Sequence, residues 1–178
     1  EDGKAYGTSD VEKFGGAILV LPTTTTPPEV ELTRVTVRNC HSDLEGGGIF
    51  ATGHPEYQIK ARISLQECMF AGNSAASFGG AISLQNGPVV KLVVGTNTVM
   101  EQNSAGLAGG ALSLSRGNLE VQGTDTQLIM QDNSAGQAGG GVYANLASSM
   151  VVSLGARVDI INNTAVANAE FCSITVLV

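Results

Sequence analysis

The sequence FAGNSAASFGGAISL at residues 70–84 recurs twice without a gap, as MEQNSAGLAGGALSL at residues 100–114 and MQDNSAGQAGGGVYA at residues 130–144. Each copy holds a large apolar residue, two variable residues, Asn-Ser-Ala, three variable residues, and then a glycine pair followed by a small and an aliphatic residue. A recurrence at a fixed interval of roughly 30 residues is typical of a repeat array, in which each unit packs on its neighbours. The positions that recur at this interval are Asn73, Asn103, Asn133 and Asn163, together with the glycine pairs Gly79 and Gly80, Gly109 and Gly110, and Gly139 and Gly140.

Weaker copies extend the array toward both ends of the chain. Further glycine pairs begin at Gly15 and Gly46, and their spacing is close to that of the three regular pairs. Pro-containing insertions at residues 21–29 (LPTTTTPPE) and 53–56 break the spacing, and we expect both to form loops outside the stack. The prediction is a single repeat domain over residues 1–178, with a Thr/Pro-rich inserted loop at residues 21–29.

Apolar and polar residues alternate with a period of two inside each unit, as at Ile63 and Leu65. This period predicts strands, about three per unit, at positions such as 81–84, 89–94 and 98–101. A unit of this length buries its apolar positions by coiling once and stacking on the next unit. We therefore predict an all-β fold, a parallel β-helix of about five to six coils of about 30 residues. The winding is expected to be right-handed, as parallel crossovers almost always are.

Stacking would place equivalent residues of successive coils one above another as ladders. An asparagine side chain has both donors and an acceptor, so stacked copies can bond one another and cap backbone groups that a turn leaves unpaired. The glycine pairs offer a positive φ and room for close backbone approach at a corner. Inward apolar ladders are expected at Phe70, Met100, Met130 and Ile160, and at Ile82, Leu112 and Val142.

These motifs resemble the repeats of the chlamydial polymorphic outer membrane proteins, which carry many copies of Gly-Gly-Ala-(Ile/Leu/Val) and Phe-x-x-Asn. The first motif matches at residues 15–18, 79–82 and 109–112, and the second matches strictly at residues 70–73. Similar repeats occur in large surface proteins of algae and other protists. The resemblance covers roughly residues 6–170. It implies a cell-surface passenger that adheres or builds a layer, with no catalytic residues to carry over.

Composition argues against several kinds of partner. Charged residues make up 14% of the chain, with 9 basic against 16 acidic residues and a formal net charge of -7, so we expect no nucleic-acid partner. The apolar runs at residues 17–21 and 174–178 are far shorter than the roughly 20 residues of a membrane-spanning helix, and no transmembrane segment is predicted. No calcium-binding nonapeptide of the Gly-Gly-x-Gly-x-Asp type occurs, so we expect no metal and no cofactor.

The two ends of the chain suggest a piece of something longer. The chain begins at Glu1 without a methionine and stops inside the β-branched run at residues 173–178, so we expect a processed or truncated fragment. An uncapped β-helix exposes strand edges that pair with another chain. We therefore expect the ends to continue into further coils or to dock onto a partner.

Candidate catalytic residues are few. Two outward columns, at residues 72, 102, 132 and 162 and at residues 71, 101, 131 and 161, contain one acid each, Asp132 and Glu101. A polysaccharide lyase or hydrolase needs clustered carboxylates on neighbouring coils. The histidines, His41 and His54, both lie beside irregular sequence, which gives little support to a catalytic or metal role.

Three cysteines, Cys40, Cys68 and Cys172, are too few and too irregularly spaced for a disulfide framework. Cys40 occupies the Asn position of its coil and is expected to be a small buried thiol, with a bridge to Cys68 as the open alternative. Residues 162–164 form an Asn-Asn-Thr sequon, which makes Asn162 a candidate glycosylation site.

The sequence thus favours a structural or adhesive β-helix module of a large extracellular or cell-surface protein, and not an enzyme. Its expected partners are flanking coils of the same protein, neighbouring surface proteins, or host, matrix or glycan ligands. The alternative is a carbohydrate-active β-helix, either a polysaccharide lyase or hydrolase or a glycan-binding module. The residue types on the outer surface distinguish the structural module from the carbohydrate-active protein, because an enzyme requires acids and a base that converge on one face.

Overall fold

The computed structural model describes residues 4–5, 13–22, 26–54, 60–92, 96–166 and 175–176. Residues 23–25 of the predicted inserted loop and Cys172 lie outside these ranges. The strands, in chain order, are β1 (Lys4–Ala5), β2 (Ile18–Val20), β3 (Glu29–Thr33), β4 (Thr36–Arg38), β5 (His41–Ser42), β6 (Ile49–Thr52), β7 (Arg62–Gln66), β8 (Met69–Ala71), β9 (Ser74–Ala75), β10 (Ile82–Gln85), β11 (Val89–Leu92), β12 (Asn97–Glu101), β13 (Ser104–Ala105), β14 (Leu112–Ser115), β15 (Asn118–Val121), β16 (Gln127–Gln131), β17 (Ser134–Ala135), β18 (Val142–Asn145), β19 (Ser149–Val152), β20 (Arg157–Ile161), β21 (Thr164–Ala165) and β22 (Thr175–Val176).

These strands form four parallel sheets, which are named here in order along one turn. Sheet A is β1-β5-β9-β13-β17-β21, and sheet B is β2-β6-β10-β14-β18. Sheet C is β3-β7-β11-β15-β19-β22, and sheet D is β4-β8-β12-β16-β20. Each strand pairs with the equivalent strand of the next turn, as Met100 does with Phe70 and Met130. The chain is therefore an all-β parallel solenoid, as the repeat predicted.

The solenoid has about four turns of roughly 30 residues between its glycine corners. The corners begin at residues 15, 46, 79, 109 and 139. They stack directly, with Gly80 N donating to Gly109 O at 3.0 Å and Gly110 N to Gly139 O at 3.1 Å. The sequence predicted five to six coils. The strands before the first corner and after the last belong to turns that the described residues complete only in part, which accounts for the lower number.

The prediction of about three strands per turn was wrong, because each turn between two glycine corners has four strands among its described residues. The additional strand is the two-residue Ser-Ala segment of sheet A, such as Ser74–Ala75, which directly follows the ladder asparagine. A strand of two residues is too short to show an alternation of polar and apolar side chains, so its sequence resembles a turn. At the inserted loop, Glu29 already belongs to β3.

Apolar side chains fill the inside of the coil. Phe70, Met100 and Met130 are fully buried in one column, and Ile82, Leu112 and Leu84 are fully buried on sheet B. These side chains alternate with outward residues along each strand, which is the pattern of a strand with one buried face. The core is thus a set of continuous apolar columns that run across the turns.

Glycine is required at the corners because the turns approach one another closely there. A Cβ on Gly110 would lie 2.2 Å from Gly140 O and 2.4 Å from Ser134 O, and both are backbone atoms. Gly109, the first residue of the same pair, has a φ of +71°, which side-chain-bearing residues rarely adopt. The glycine pair therefore combines a left-handed residue with a point of backbone contact between turns.

Candidate functional site

The most regular polar feature of the repeat is a column of buried amides inside the turn between sheets D and A. Nδ2 of Asn73 donates to Oδ1 of Asn103 at 2.9 Å, and Nδ2 of Asn103 donates to Oδ1 of Asn133 at 2.9 Å. Nδ2 of Asn133 donates in turn to Oδ1 of Asn163 at 2.8 Å. The three asparagines that lie between described turns are 0–1% exposed. The structure thus places the predicted asparagines in one hydrogen-bonded ladder.

Each ladder amide also binds the backbone of the turn before it. Oδ1 of Asn133 accepts the backbone N–H of Asn103 at 3.0 Å, and Nδ2 of Asn133 donates to Met100 O at 3.0 Å. The same two contacts recur along the column, down to Cys40, whose backbone N–H donates to Asn73 Oδ1 at 3.0 Å. Two donors and one acceptor of the amide are therefore engaged within the stack, so these side chains hold the turns together and are not presented to a ligand.

The residue that precedes each ladder position has a left-handed backbone. The φ values are 52° at Asn39, 64° at Gly72, 54° at Gln102, 54° at Asp132 and 51° at Asn162. Asn, Asp and Gly tolerate this region best, and they occupy four of these five positions. The sequence analysis treated residues 72, 102, 132 and 162 as an outward column with one acid, Asp132, and did not predict this backbone requirement. Asn162, the candidate glycosylation site, is exposed at this position.

Cys40 and Cys68 are both buried thiols and are not joined to each other. Cys40 is 1% exposed and its Sγ lies 3.3 Å from Arg38 O, whereas Cys68 is 2% exposed and its Sγ lies 3.2 Å from Leu32 O. The bridge left open by the sequence does not form. Each thiol instead fills a small interior space and donates weakly to a backbone carbonyl.

A hydroxyl column runs along the outer face of sheet A, and a histidine occupies the next position of the same column. Ser74, Ser104, Ser134 and Thr164 are partners in successive strands, and His41 occupies the same column one turn before Ser74. His41 Nδ1 lies 2.8 Å from Ser74 Oγ, and His41 Nε2 lies 3.3 Å from Asp43 Oδ1. Sequence reasoning gave His41 little weight, although the alignment of Cys40 with Asn73 already places His41 in the serine column.

Ser74, His41 and Asp43 are residue types that act together in nucleophilic catalysis. An acyl transfer also needs backbone N–H groups directed at the developing oxyanion. The nearby N–H groups of Asn73, Ser74 and Ala76 each donate to an acceptor within the stack. The His41 and Asp43 side chains are also 37% and 40% exposed. The geometry therefore fits a surface hydrogen-bond chain better than a reaction centre.

The outer face of sheet B carries a half-buried carboxyl, that of Glu45. Glu45 lies in the position before its glycine pair, where its oxygens accept hydrogen bonds from Ser83 Oγ and Gln85 Nε2, both at 2.7 Å. Burial raises the pKa of the Glu45 carboxyl, although the hydrogen bonds from Ser83 and Gln85 act in the opposite direction. Ser83 points outward along β10 but is only 1% exposed, because the column of Glu45 lies over it.

Two pairs of aromatic side chains also lie on the outer face of sheet B. The Phe14 and Phe50 rings have centroids 4.2 Å apart, and those of Phe78 and Tyr143 are 6.0 Å apart. Phe78 follows Glu45 in the column that precedes the glycine pairs, and the next two members of this column are Ala108 and Ala138. The small alanines leave room for Phe78 and Tyr143 to approach each other across two turns. No sequence pattern identified this covering layer.

The outer face of sheet C is open and polar. A shallow cavity of about 270 Å³ is lined by Arg62, Ser64, Val89 and Glu120, among others, and a neighbouring cavity of about 250 Å³ includes Glu31 and Ser64. Arg62 also forms an exposed ion pair with Glu29 at 3.5 Å. Positively and negatively charged side chains therefore lie along this face, together with the Ser64 hydroxyl, which lines both cavities.

The acids singled out from the sequence do not converge. Glu101 accepts a hydrogen bond from Gln131 Nε2 at 2.9 Å, while Asp132 occupies the left-handed position before Asn133. His54 is half-buried after β6. Within the described ranges, no group of three or more His, Cys, Asp or Glu side chains is placed to hold a metal ion. The same part of the chain holds no helix that is long and apolar enough to cross a membrane.

These features together define a β-solenoid repeat module whose repeated polar residues bond one turn to the next. The model of the Chlamydia polymorphic membrane protein repeat matches residues 67–85, which contain the Phe70 to Asn73 motif and the first of the three regular glycine pairs. The resemblance predicted from the sequence is thereby confirmed for this stretch. Neither the curated proteins nor the solved structures contain a match to the chain.

Proposed function

We propose that this chain is a non-catalytic structural and adhesive module of a large extracellular or cell-surface protein. The observation that carries the proposal is the asparagine ladder, in which each repeated amide is engaged by its neighbours, as in the bond from Asn103 to Asn133 at 2.9 Å. The repeat therefore serves to extend a stack of turns. The match of residues 67–85 to a polymorphic membrane protein repeat supports a surface location.

Adhesion is assigned to the outward positions, because the inward and corner positions are engaged in the stack. The outward side chains are chiefly Ser, Thr, Gln and Asn, with separated acids. The open face of sheet C, lined by Glu31, Ser64 and Glu120, offers such side chains to neighbouring surface proteins, host or matrix molecules. The Thr/Pro-rich segment at residues 21–29 leads directly into sheet C in the sequence, because Glu29 is the first residue of β3.

We also infer a right-handed winding and a total of five to six coils. Right-handed crossovers between parallel strands of one sheet are strongly favoured because of strand twist. The partial turns before the first glycine corner and after the last one support the larger number of coils. An experimental structure of the chain would test both points, and a left-handed coil would contradict the first.

Surface exposure and adhesion are tested separately. Antibodies raised against the folded chain should label intact, unpermeabilised cells of the source, and beads coated with the chain should adhere to such cells or to purified matrix proteins. Beads coated with a Glu31→Ala, Ser64→Ala, Glu120→Ala chain provide the matched control, because these residues are outward and should leave folding unchanged. Labelling that requires permeabilisation, or bead adhesion no greater than with an unrelated protein, would contradict the proposal.

A glycan-binding or glycan-cleaving function is the second candidate, and the two neighbouring cavities on sheet C favour it. Their volumes of about 270 and 250 Å³ and their mixed polar lining suit a short run of sugar hydroxyls. Incubation of the chain with a panel of acidic and neutral polysaccharides distinguishes the candidates. New reducing ends that disappear in a Glu120→Gln chain would establish an enzyme, whereas retention on a glycan that is lost in an Arg62→Ala chain would establish a binding module.

A further inference from the structure

The chain carries no acidic residue where it passes from sheet B into sheet C in the three turns that are described there without a gap. These corners are residues 86–88, 116–117 and 146–148, with the sequences NGP, RG and LAS. By comparison, Glu67 and Asp125 lie at the corner between sheets C and D. In a chain with 16 acidic and 9 basic residues, the corner between sheets B and C therefore repels an anion less than that neighbouring corner does.

Lys60 lies across this corner from the turn before it. Gly87 has no side chain, and the position that a Cβ would take there lies 3.5 Å from Cγ, 3.8 Å from Cδ and 3.7 Å from Cε of Lys60. The lysine stem thus runs along the Gly87 backbone, while the residue as a whole is exposed. Among the described residues no carboxylate forms an ion pair with Lys60, so its charge is available to a ligand.

Arg116 reaches the same corner from the turn after it. Its Nη1 donates to Oδ1 of Asn86 at 3.4 Å, and the residue is exposed. The ion pairs of the described residues do not include Arg116 either. Neighbouring strands lie about 4.8 Å apart, so the backbones at Lys60 and Arg116, one turn to either side of Gly87, are about 10 Å apart. Two cations without a carboxylate partner in the described chain therefore flank the Asn86-Gly87 pair.

Arg62 extends the positive charge from the corner onto the outer face of sheet C. Ala61 is fully buried, so Lys60 and Arg62 on either side of it both point outward. Arg62 lines the cavity of about 270 Å³ together with Ser64, and it pairs with Glu29 at 3.5 Å. The side chains of this pair are 69% and 64% exposed, so solvent screens their attraction and an anionic ligand can replace the Glu29 carboxylate.

We propose that Lys60, Arg62 and Arg116, named here the basic corner, bind an anionic polysaccharide. Its sulfate or carboxylate groups contact the three cations, and its sugar rings lie in the adjoining cavity on sheet C. The lining of that cavity favours this occupant over a nucleic acid or an anionic membrane, because a carboxylate such as that of Glu120 accepts hydrogen bonds from sugar hydroxyls but repels a continuous row of phosphates. This inference rests on the proposed adhesive role and specifies its ligand class.

The net charge of the chain, -7, opposes the approach of a polyanion from a distance. Exposed charges that are further apart than about 8 Å are largely screened at physiological ionic strength, whereas direct contacts between the basic corner and an anionic group persist. Binding should therefore involve a short segment of the polysaccharide, and the affinity should fall as the salt concentration rises.

The test uses the intact, isotope-labelled chain and follows its NMR spectrum during titration with a dextran sulfate oligosaccharide, an oligogalacturonate, and an uncharged dextran oligosaccharide of the same length. The backbone amide signals of Gly87 and Arg116 and the side-chain NH₂ signals of Asn86 should shift with at least one of the two anionic probes, and not with dextran. The anionic probe that binds more tightly identifies sulfate or carboxylate as the preferred group.

Substitutions then locate the contact. Arg116→Ala should weaken the binding of that probe about tenfold, because a charge-assisted contact is lost, and Lys60→Ala should have a similar effect. Arg34→Ala is the matched control, since Arg34 is also an exposed arginine with a left-handed backbone, with a φ of 54° against 55° at Arg116. The next turn places Glu67 beside Arg34, so this substitution should leave the affinity unchanged.

Several results would overturn the inference. These are no shift with either anionic probe, equal binding of dextran, and equal losses of affinity in Arg116→Ala and Arg34→Ala, which would show attraction without a site. Binding of poly-glutamate as tightly as of the better polysaccharide would remove the assignment to a polysaccharide. Cell labelling and bead adhesion are independent of these titrations. A surface-exposed, adhesive chain that binds neither anionic probe would leave the proposed function standing, whereas a chain that binds them but is absent from the cell surface would contradict the proposed function alone.

Discussion

Asn133 Oδ1 accepts two hydrogen bonds from Asn103, one from Nδ2 at 2.9 Å and one from the backbone N–H at 3.0 Å. The oxygen thus joins two turns at a point where a backbone donor would otherwise be buried without an acceptor. Because a buried polar group without a partner costs about 1–3 kcal/mol, this relationship makes the ladder a principal determinant of stability.

Replacement of Asn103 by alanine should destabilise the chain by about 2–5 kcal/mol, because it removes the acceptor of Asn73 N–H and leaves Phe70 O without its donor. The free energy of unfolding in urea, followed by circular dichroism, measures the loss. Asn97→Ala is the matched control, since Asn97 is an exposed residue of the neighbouring strand, and should change stability by less than about 0.5 kcal/mol. Equal effects of the two substitutions would contradict the architectural role of the ladder.

Alanine at Gly110 should prevent cooperative folding or destabilise it by more than about 3 kcal/mol, because the added Cβ would lie 2.2 Å from Gly140 O. Gly87→Ala serves as the comparison. At Gly87 the φ of +99° is unfavourable for alanine, but the nearest atoms belong to the flexible Lys60 side chain at 3.5 Å or more, so we expect a loss of about 1–2 kcal/mol. Thermal unfolding followed by far-ultraviolet circular dichroism distinguishes the two, and a Gly110→Ala chain as stable as Gly87→Ala would refute close contact at the corner.

The same substitution should have different effects at two positions of one apolar column. Met100→Ala should cost about 2–5 kcal/mol because Met100 is fully buried between turns. Ile160→Ala should cost less than about half as much, because Ile160 is 37% exposed at the end of the stack. Both are measured as differences in the free energy of unfolding in urea. If Ile160→Ala proved as costly as Met100→Ala, the C-terminal end would already be covered in solution.

Glu45 should make stability depend on pH. Because burial raises its pKa in the folded chain above the usual value of 4.5, the folded state binds its proton more tightly than the unfolded state. The resulting stabilisation is complete below the unfolded pKa and is lost as the pH rises through the folded pKa. Unfolding of the wild-type chain and of Glu45→Gln should be compared between about pH 4 and pH 8. Relative to Glu45→Gln, the wild type should become less stable as the pH rises, and the opposite trend would contradict the burial of the carboxyl.

The cysteines should react as buried thiols. In the native chain, iodoacetamide should modify Cys40 and Cys68 far more slowly than in urea, because their residues are 1% and 2% exposed. Peptide mapping by mass spectrometry measures each site separately. Recovery of a disulfide-linked peptide that contains both cysteines would show that the structure places them wrongly.

Much of the fold could be predicted, because in a solenoid the repeat period of the sequence equals the length of one turn. Residues one repeat apart become neighbours in adjacent turns, so the alignment of Asn73, Asn103 and Asn133 already predicts that their side chains are in contact. The inward columns followed from the same alignment. The short strands of sheet A could not be predicted, because two residues such as Ser74 and Ala75 carry no detectable period.

The sequence by itself determined the parallel stack, its ladders and its corners, since each depends on residues that repeat. The tertiary structure alone decided what lies over the outer faces, as where Glu45 accepts from Ser83 in the next turn and where Phe78 meets Tyr143. These contacts join different columns, and they depend on side-chain reach and on the small residues Ala108 and Ala138 that leave space between them. Such contacts do not repeat from turn to turn. They could not be predicted from the sequence, because the repeat period specifies only which equivalent positions lie one above another in adjacent turns.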